Sequence, residues 1–496
     1  DDKRRLGVLA LILFNPVYFY ADWIHAETFI FAFVVMGLVF YYNKQHSLGI
    51  LFISIAAMQN LGILPLGMII GLDYIWSRYL TFQKESKTKN VWKFVKSDWL
   101  HIIPYGLLYL PAMLPMITCY LHFGVFNRVA AVATENKYIL EKIWAYLFDL
   151  NIGIGVYAPI ILIAFIIMAV HGIWQRKSTA ILNLLAFIGI VTIISFELHI
   201  NCGMEGISRY GVWILPQLIF YVVMNFNIGA EVAITTVMIY ATLWGSPNYD
   251  IYTEFAPWTE YVMDKCPQIY NPFHTIFYIR ATNNEIYNAE VPVVFRNEDG
   301  FVRKILLSKN AEDAFFSSPS IIVDTDGNII DKSSLKKHVV DSGEFTYINM
   351  PKNVLEVCNY EIGNDKIYFC QENYNADMYV KKGTYLIEPW GAWTNGDELE
   401  VLMRFEDDTK NLHCHVDVNG TYYQPQPVNV YVNNQKIYTT TIDGDQDIDF
   451  DFINPDNGIV NISFELPGAV SPSEISDSND ARILALGLIT MEITES

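Results

Sequence analysis

The chain has 496 residues, enough for two or three domains, and 52% of them are hydrophobic. Its net charge of −20 is unevenly distributed: residues 1–250 contain 16 Lys and Arg against 14 Asp and Glu, whereas residues 251–496 contain 17 against 39. The acidic balance of the second half argues against nucleic-acid binding there. We therefore predict an apolar membrane half that changes into an acidic soluble half near residues 245–248.

Apolar stretches long enough to cross a bilayer recur through the first half. A spanning helix needs about 17–25 apolar residues. The stretch 48–76 is different, because Asn60, Gly62, Pro65 and Gly67 interrupt it; this favours either one broken helix or two short helices in a hairpin. We predict a helical membrane domain over residues 1–246, with this hairpin and about seven spans at residues 6–21, 27–43, 99–122, 151–174, 179–200, 211–228 and 229–246.

Basic residues in short loops predict the orientation of these spans. Lys and Arg cluster at residues 3–5, 78–96 and 176–177, which places these segments in the cytoplasm. The scheme closes only if the stretch 48–76 returns to its starting side, which independently favours the hairpin. Everything after residue 246 then lies outside, so we expect a multi-pass cell-membrane protein with an extracytoplasmic acidic half. We interpret the start, which has no signal peptide, as an inner loop.

The second half predicts two further regions, a connector with a small α+β region (residues 247–382) and a β-sandwich (383–496). Short β-like runs in the connector lie at residues 291–295, 320–323, 345–349 and 366–369. From residue 383 onward strand runs dominate, with turn pairs such as Asn395-Gly396 between several of them. The expected strands are 385–388, 398–405, 413–418, 428–432, 436–442, 448–452, 460–465 and 483–493. This spacing indicates a jelly-roll-like sandwich, and the fold class is multidomain α and β.

The six cysteines have no zinc-type CxxC spacing. Cys358 and Cys370 flank an expected turn at residues 363–365. A disulfide between them in an oxidising compartment and two free buried thiols are equally compatible with the sequence.

Ionisable residues at the outer ends of the spans are the best candidates for chemistry, because charge at membrane depth is costly and often functional. Glu27 opens a helix, Glu197 lies near the outer end of another, and Arg209 and Tyr210 precede a third. A fixed guanidinium at Arg209 could grip a lipid phosphate bidentately. The alternative for Glu27 and Arg209, equally open, is an interfacial residue that reaches headgroups or water.

Other charged residues of this half favour a structural interpretation. For Asp22 and His25 we prefer interfacial positions in contact with headgroups or water. The segment 124–150 places Lys142 and other charges among apolar residues at helical spacing. We expect an amphipathic helix that lies in the membrane interface.

In the sandwich, Trp390 and Trp393 could stack on the faces of sugars, with Tyr422 and Tyr423 as accessories. The alternative, which we favour, is that both tryptophans fill the core. Four aspartates alternate at residues 443–449 and could supply hard oxygen ligands to calcium. Such a run is more often a solvated acidic edge that blocks strand pairing.

Three stretches of the membrane half resemble the GT-C superfamily of polytopic glycosyltransferases. They are residues 15–29, with Asn-Pro and Ala-Glu-Thr-Phe; residues 48–65, similar to the family's short hairpin; and residues 208–216, where Ser-Arg-Tyr-Gly runs into an apolar helix. Residues 269–272 and the C-terminal stretches 464–472 and 480–484 are similar to bacterial relatives with an outer β-sandwich. Together these stretches cover much of the chain.

The resemblance implies transfer of a sugar from a polyprenyl-phosphate donor to an envelope glycan, lipid or protein acceptor at the outer membrane face. It implies Arg209 and Tyr210 as contacts of the donor phosphate, Glu27 as a cavity-lining acid, and membrane lipid, the lipid-linked sugar and a glycan acceptor as partners. A divalent cation is possible; no cofactor or metal ligand is assigned. Family members usually carry a catalytic acid in the first outer loop, which we expect upstream of Asp1.

Two other functions remain compatible with the sequence, a transport accessory and a membrane-anchored glycan-binding protein without catalysis. Transport would predict intramembrane charges spread along several helices. The candidates cluster at outer ends instead, which favours surface chemistry.

Overall fold

A computed structural model of the chain describes residues 9, 15–20, 26–127, 136–200, 206–225, 254–282, 292–317, 320–324, 328–385, 387–406, 409–422, 425–476, 480 and 482–496. The chain divides into two compact units, unit 1 (Asp1–Asn288) and unit 2 (Ala289–Ser496). Helices make up the described part of unit 1, and a β-sandwich dominates unit 2. The three-domain division with boundaries at 246 and 382 stays a prediction.

The helices of unit 1 are, in chain order, α1 (Glu27–Tyr42), α2 (His46–Gln59), α3 (Leu64–Ser86), α4 (Val91–Leu107), α5 (Leu110–Phe123), α6 (Ile139–Phe148), α7 (Ile154–Tyr157), α8 (Pro159–Trp174), α9 (Ser178–Ile194), α10 (Arg209–Val212), α11 (Leu215–Asn225), α12 (Pro257–Lys265) and α13 (His274–Thr282). Short 3-10 turns lie at Pro16–Tyr20 and Leu61–Ile63. The predicted span 229–246 and most of the span 6–21 lie outside the described residues.

The apolar stretch 48–76 forms two antiparallel helices, as one of the two predictions had it. Gly67 of α3 lies against Ile53 of α2, and one turn later Gly71 lies against Ile50. Small residues also let α1 approach α2, since a Cβ at Gly37 would meet Ile53 at 2.8 Å. The break that separates α2 from α3 begins at residue 60, where the sequence stops being uniformly apolar.

Three predicted spans differ from the helices observed. The stretch 151–174 contains the short α7 and then α8, which begins at Pro159. The stretch 99–122 is a pair, α4 and α5, bent by 59°, because Pro111 lies in the first turn of a new helix. The stretch 211–228 begins in the short α10 and continues in α11. Among the described residues no single helix is both long and apolar enough to cross a bilayer, whereas the α4–α5 pair meets that criterion by length and composition.

The strands of unit 2 are β1 (Val293–Arg296), β2 (Val302–Ser308), β3 (Ile321–Asp324), β4 (Ile329–Ile330), β5 (Val339–Ser342), β6 (Phe345–Asn359), β7 (Lys366–Tyr368), β8 (Val380–Lys382), β9 (Ala392–Trp393), β10 (Glu398–Arg404), β11 (Asn411–Thr421), β12 (Gln426–Val432), β13 (Gln435–Ile442), β14 (Ile448–Ile453), β15 (Ile459–Glu465) and β16 (Leu486–Glu495). Its helices are α14 (Lys309–Ser317), α15 (Lys332–Leu335) and α16 (Pro472–Ile475). Short 3-10 turns lie at Lys336–His338 and Ala376–Met378.

Two sheets form the sandwich. One has the order β1-β2-β6-β10-β15-β12-β13, with further strands paired to it, and the other has the order β14-β11-β16-β7, with β9 paired to β16. Alternating side chains of both sheets, such as Val401 from β10 and Val416 from β11, meet in one core. Strand β6 pairs in parallel with β10, so strands on both sides of residue 382 share one sheet.

Most predicted strands of unit 2 are present within a few residues of their expected ends. The strand expected at residues 385–388 is wrong: none of its described residues lies in a strand. There Glu388 N donates to Gly391 O over 2.7 Å, which closes a tight turn in place of a ladder.

Of the two alternatives left open for Cys358 and Cys370, the structure has free thiols and not a disulfide. Cys358 is buried in strand β6, and the Cys370 thiol donates to the backbone carbonyl of Glu372 at 3.0 Å.

Candidate functional site

A cavity of about 720 Å³ in unit 1 brings together the residues that the sequence singled out. Glu27, Glu197, Arg209 and Tyr210 all line it. The remaining wall comes from the tip of the α2–α3 hairpin, from α5 and from α9. The lining residues are Ala26, Glu27, Ile30, Met58, Gln59, Asn60, Leu61, Gly62, Pro115, Met116, Cys119, Phe126, Asn127, Ile193, Phe196, Glu197, Arg209, Tyr210 and Trp213.

Glu27 is the first residue of α1, and its side chain is only 4% exposed. A carboxylate at this position is stabilised by the positive end of the helix dipole. Its Oε2 is buried and, within the described ranges, has no hydrogen-bond partner. The same holds for the indole Nε1 of Trp213. The cavity wall thus contains an acceptor and a donor that a polar ligand could satisfy.

Arg209 begins the short helix α10, directly after a tight turn. Gly206 in that turn has φ +82°, and a Cβ there would meet the Tyr157 ring at 2.8 Å, so only glycine fits. Ser208 N donates to Ile152 O over 3.0 Å and ties the turn to the neighbouring segment. The local sequence therefore fixes the position from which the guanidinium enters the cavity.

The Arg209 side chain is held against Tyr210. Its Nη2 donates to Tyr210 Oη over 2.9 Å, and its guanidinium carbon lies 4.9 Å from the ring centroid of the same tyrosine. The Tyr210 ring in turn lies edge-on to Trp213, with centroids 4.8 Å apart. This stack orients the Arg209 guanidinium at the cavity wall.

Glu197 is the second acid of the cavity. The Arg209 and Lys142 cations both act electrostatically on its carboxylate. Lys142 is fully buried and donates from Nζ to the Glu197 carbonyl over 2.7 Å. Two acids and two cations therefore lie at or behind one wall, where base and phosphate-binding roles can be divided between them.

The hairpin tip was missed as part of a site. Asn60 Oδ1 accepts from Gly62 N over 2.8 Å and shapes the turn that enters the cavity. Asn60 is a polar residue inside an apolar stretch, which is a sequence signal for a site. From the sequence we use it only as evidence for an interruption of the helix. Asp22, His25, Glu205 and Tyr423 lie outside the described residues.

In unit 2, the Trp393 ring contacts both Trp390 and Tyr422. The Trp390 and Trp393 centroids are 5.5 Å apart, and those of Trp393 and Tyr422 are 6.0 Å apart. All three side chains are half-buried, and none belongs to the sandwich core. The favoured prediction, that the tryptophans fill the core, is therefore wrong: they form a partly exposed aromatic cluster.

The acidic run ends in strand β14, at the edge of its sheet. Asp449 and Asp451 face two histidines of β11: His413 Nδ1 lies 2.8 Å from Asp451, and His415 Nδ1 lies 2.8 Å from Asp449. Within the part of the chain that the structure describes, no three His, Cys, Asp or Glu side chains are grouped to hold a metal ion. The edge-strand interpretation fits this arrangement better than a calcium site.

No family profile and no curated protein sequence matches the chain. Solved structures similar to part of the chain include carbohydrate-binding modules and a β-glucuronidase, and also dimeric latent PorU from Porphyromonas gingivalis. A family 35 carbohydrate-binding module from an environmental isolate has 14% identity over 24% of this chain and 77% of its own, with a TM-score of 0.16. A family 36 carbohydrate-binding module in complex with calcium and xylotriose has 16% identity over 26% of this chain and 99% of its own, with a TM-score of 0.15. A Bacteroides uniformis β-glucuronidase has 8% identity over 46% of this chain and 32% of its own, with a TM-score of 0.17. These values are too low to establish a family or a function.

Proposed function

We propose that the chain is an integral-membrane glycosyltransferase that moves a sugar from a polyprenyl-phosphate donor to an envelope acceptor on the extracytoplasmic side. One observation carries the proposal: Glu27 and Arg209, separated by most of unit 1 in sequence, line the same cavity. A cation for a phosphate and an acid for a hydroxyl are the two groups that this transfer needs.

The outer surface of unit 1 supports a membrane location. Helix α8 exposes Ile167 (62%), Val170 (62%) and Trp174 (81%). Most of the exposed large hydrophobic side chains in the described residues belong to unit 1. Water-exposed apolar surface costs about 25 cal/mol per Å², and soluble monomers rarely tolerate contiguous patches of it. Lipid is the partner that removes this cost.

The proposed reaction assigns a step to each side chain. The acceptor hydroxyl attacks the anomeric carbon while Glu27 or Glu197 takes its proton. The bond from that carbon to the phosphate oxygen breaks, and polyprenyl phosphate leaves with the electron pair. Arg209, held by Tyr210, stabilises the charge that develops on the leaving phosphate.

The proposal is tested with the purified chain in nanodiscs and undecaprenyl phosphate as the probe. Arg209→Ala is expected to weaken binding of undecaprenyl phosphate by roughly 10- to 100-fold, which corresponds to the free energy of one charge-assisted hydrogen bond. Arg209→Lys should recover part of it, because the charge remains but the bidentate fork is lost. Arg176→Ala, in the predicted inner loop, is the matched control. Equal binding by wild type and Arg209→Ala would contradict the assignment.

Transfer itself separates this proposal from its alternative, a membrane-anchored glycan-binding protein without catalysis. The half-exposed cluster of Trp390, Trp393 and Tyr422 favours that alternative. Vesicles that contain the chain are supplied with undecaprenyl-phosphate glucose, mannose or galactose, each radiolabelled in the sugar. The transferase is supported if radiolabelled sugar is incorporated, and if Glu27→Gln lowers this incorporation while undecaprenyl phosphate still binds. Glycan binding without incorporation from any donor supports the alternative.

A further inference from the structure

Unit 2 contains a second cavity, of about 700 Å³, that none of the roles above uses. It lies between helix α14, strands β1 and β6, and the 3-10 turn Ala376–Met378. Its volume is in the range of sites that hold small organic ligands. Its lining residues are Pro292, Val294, Arg296, Ser308, Asn310, Ala311, Ala314, Phe315, Ser320, Glu356, Cys358, Asp377, Met378 and Lys381.

Two cations face this cavity although the second half of the chain is strongly acidic. Arg296 has a buried Nη1 with no hydrogen-bond partner among the described residues. Lys381 Nζ donates to a carbonyl, Met378 O, at 3.3 Å, and to no carboxylate of the described residues. Burial, and then the neighbouring Arg296 cation, lower the pKa of Lys381 to about 8. Both side chains line the same cavity, and like charges that share a site repel one another.

The protein itself compensates these cations incompletely. Glu356 forms an ion pair with Arg296, but its Oε2 lies 3.7 Å from Arg296 Nη2, beyond hydrogen-bond length. Its Oε1 accepts from Ser320 Oγ over 3.1 Å. Lys332, which donates to the same hydroxyl over 2.7 Å, brings a third cation toward Glu356. Asp377 lines the cavity but is exposed, so water screens its charge.

The other walls are apolar or neutral. Phe315 and Ala311 of α14 contribute one side, and Ser308 and Asn310 add neutral polar groups. A ligand with one anionic end and an uncharged body matches this division. The anion would supply the acceptors that Arg296 Nη1 and Lys381 Nζ lack.

We propose that this cavity binds a small organic anion through a carboxylate or phosphate group held by Arg296 and Lys381. The inference does not depend on the transferase proposal, because every residue it uses lies in unit 2.

The experiment measures binding to the full chain in nanodiscs by isothermal titration calorimetry. The probes are glucuronate, glycerol 1-phosphate and inorganic phosphate, with glucose and glycerol as uncharged counterparts of the first two. Saturable binding of at least one anion and of neither neutral probe is expected. The three anions distinguish a carboxylate from a phosphate and an organic phosphate from the free ion.

Arg296→Gln is expected to weaken the binding that wild type shows by roughly tenfold or more. Lys381→Met should weaken it several-fold. Lys382→Met is the matched control, because the adjacent lysine pairs instead with Glu398 and Glu400. Unfolding curves check that each variant folds; if Arg296→Gln does not, Lys381→Met, at a half-exposed position, decides the test.

Three outcomes overturn the proposal. The first is that no anion binds at concentrations up to about 10 mM, a weak-affinity limit. The second is that Lys381→Met binds as wild type does. The third is that Lys382→Met loses as much affinity as Lys381→Met, which would indicate a diffuse surface effect.

Discussion

Lys142 donates a hydrogen bond from Nζ to the backbone carbonyl of Glu197 over 2.7 Å, although none of its side chain is exposed. On the same helix Leu140 and Trp144 are 77% and 66% exposed. A helix of a soluble protein has the reverse arrangement, with lysine outward and apolar residues inward. Helix α6 therefore turns Lys142 inward, toward Glu197, while Leu140 and Trp144 lie on its exposed side.

Lys142→Met is expected to destabilise unit 1 by about 1–3 kcal/mol, because it leaves the buried Glu197 carbonyl without its donor. It also removes a cation that acts on the Glu197 carboxylate. The measurement is thermal unfolding in detergent, followed by tryptophan fluorescence. Lys177→Met, at an exposed position, should leave the transition unchanged. An unaltered transition in Lys142→Met would mean that the hydrogen bond contributes nothing net.

The helices of unit 1 were predicted well where an apolar run is continuous and less well where it bends. The spans 27–43 and 179–200 match α1 and α9 within a few residues at most ends. The bend in 99–122 had a signal, Pro111, that a hydropathy count passes over. No sequence signal indicated that Lys142 points inward. An interfacial helix and a helix with a buried lysine have the same periodicity of apolar residues.

The aromatic cluster predicts which substitutions weaken glycan binding. Trp390→Ala and Trp393→Ala should each lower affinity by about two- to tenfold, the value of one ring contact, for whichever oligosaccharide the wild type retains on a glycan array. Tyr374→Ala, a partly exposed aromatic residue elsewhere in unit 2, is the control. Unchanged retention by both tryptophan variants would show that the cluster is only structural.

Gly487 offers a second test of the same cluster without loss of a ring. A Cβ at this position would meet the Trp390 ring at 2.9 Å, so Gly487→Ala must displace the indole. We expect weaker glycan binding with Trp390 still present, and a changed near-ultraviolet circular dichroism signal. Unchanged affinity together with a changed signal would argue that the orientation of Trp390 is irrelevant to binding.

Two histidines and two aspartates pair across the edge of the sandwich. In the β11–β14 register His413 stands opposite Asp451 and His415 opposite Asp449. The hydrogen bond with Asp451 raises the pKa of His413 above its ordinary value, with Asp449 adding to the effect. The hydrogen bond from His415 lowers the pKa of Asp449. Each shift indicates that the charged forms stabilise the fold.

The sign of these shifts gives a pH window. A raised histidine pKa contributes stability that is fully present below the unfolded value of about 6.5 and is lost as pH rises through the folded pKa. A lowered aspartate pKa contributes stability above about 3.9 that is lost as pH falls through the folded pKa. Together, His413 and Asp449 should stabilise unit 2 most between these two limits.

His413→Gln should therefore lower the unfolding temperature most near about pH 5.5 and less at about pH 8, because the imidazole loses its charge as pH rises through its raised folded pKa. Differential scanning calorimetry at both pH values measures the change. His338→Gln, at a half-exposed position outside this strand pair, should produce no such difference. A pH-independent effect of His413→Gln would show that packing, and not charge, is responsible.

The cavity of unit 2 shows what sequence reasoning could not reach. Arg296 and Lys381 lie on different strands, β1 and β8, and neither stands in a motif. Both side chains line one cavity because strand β6 pairs with other strands on both of its sides. No local sequence pattern predicts this pairing. In unit 1, by contrast, the sequence predicts that Glu27 and Arg209 belong to one site, because both are expected at the outer ends of helices.

The cysteines of unit 2 provide a direct chemical test of the fold. Burial raises the pKa of Cys358 and, further, of Cys414, so little reactive thiolate forms at either. Iodoacetamide at about pH 8 should modify the more accessible Cys370 in the folded chain and spare Cys358 and Cys414. After denaturation without reductant all three should react, as peptide mass spectrometry would show. If Cys358 and Cys370 instead became reactive only after reduction, a disulfide would join them, and the turn between β6 and β7 would have to differ from the one described.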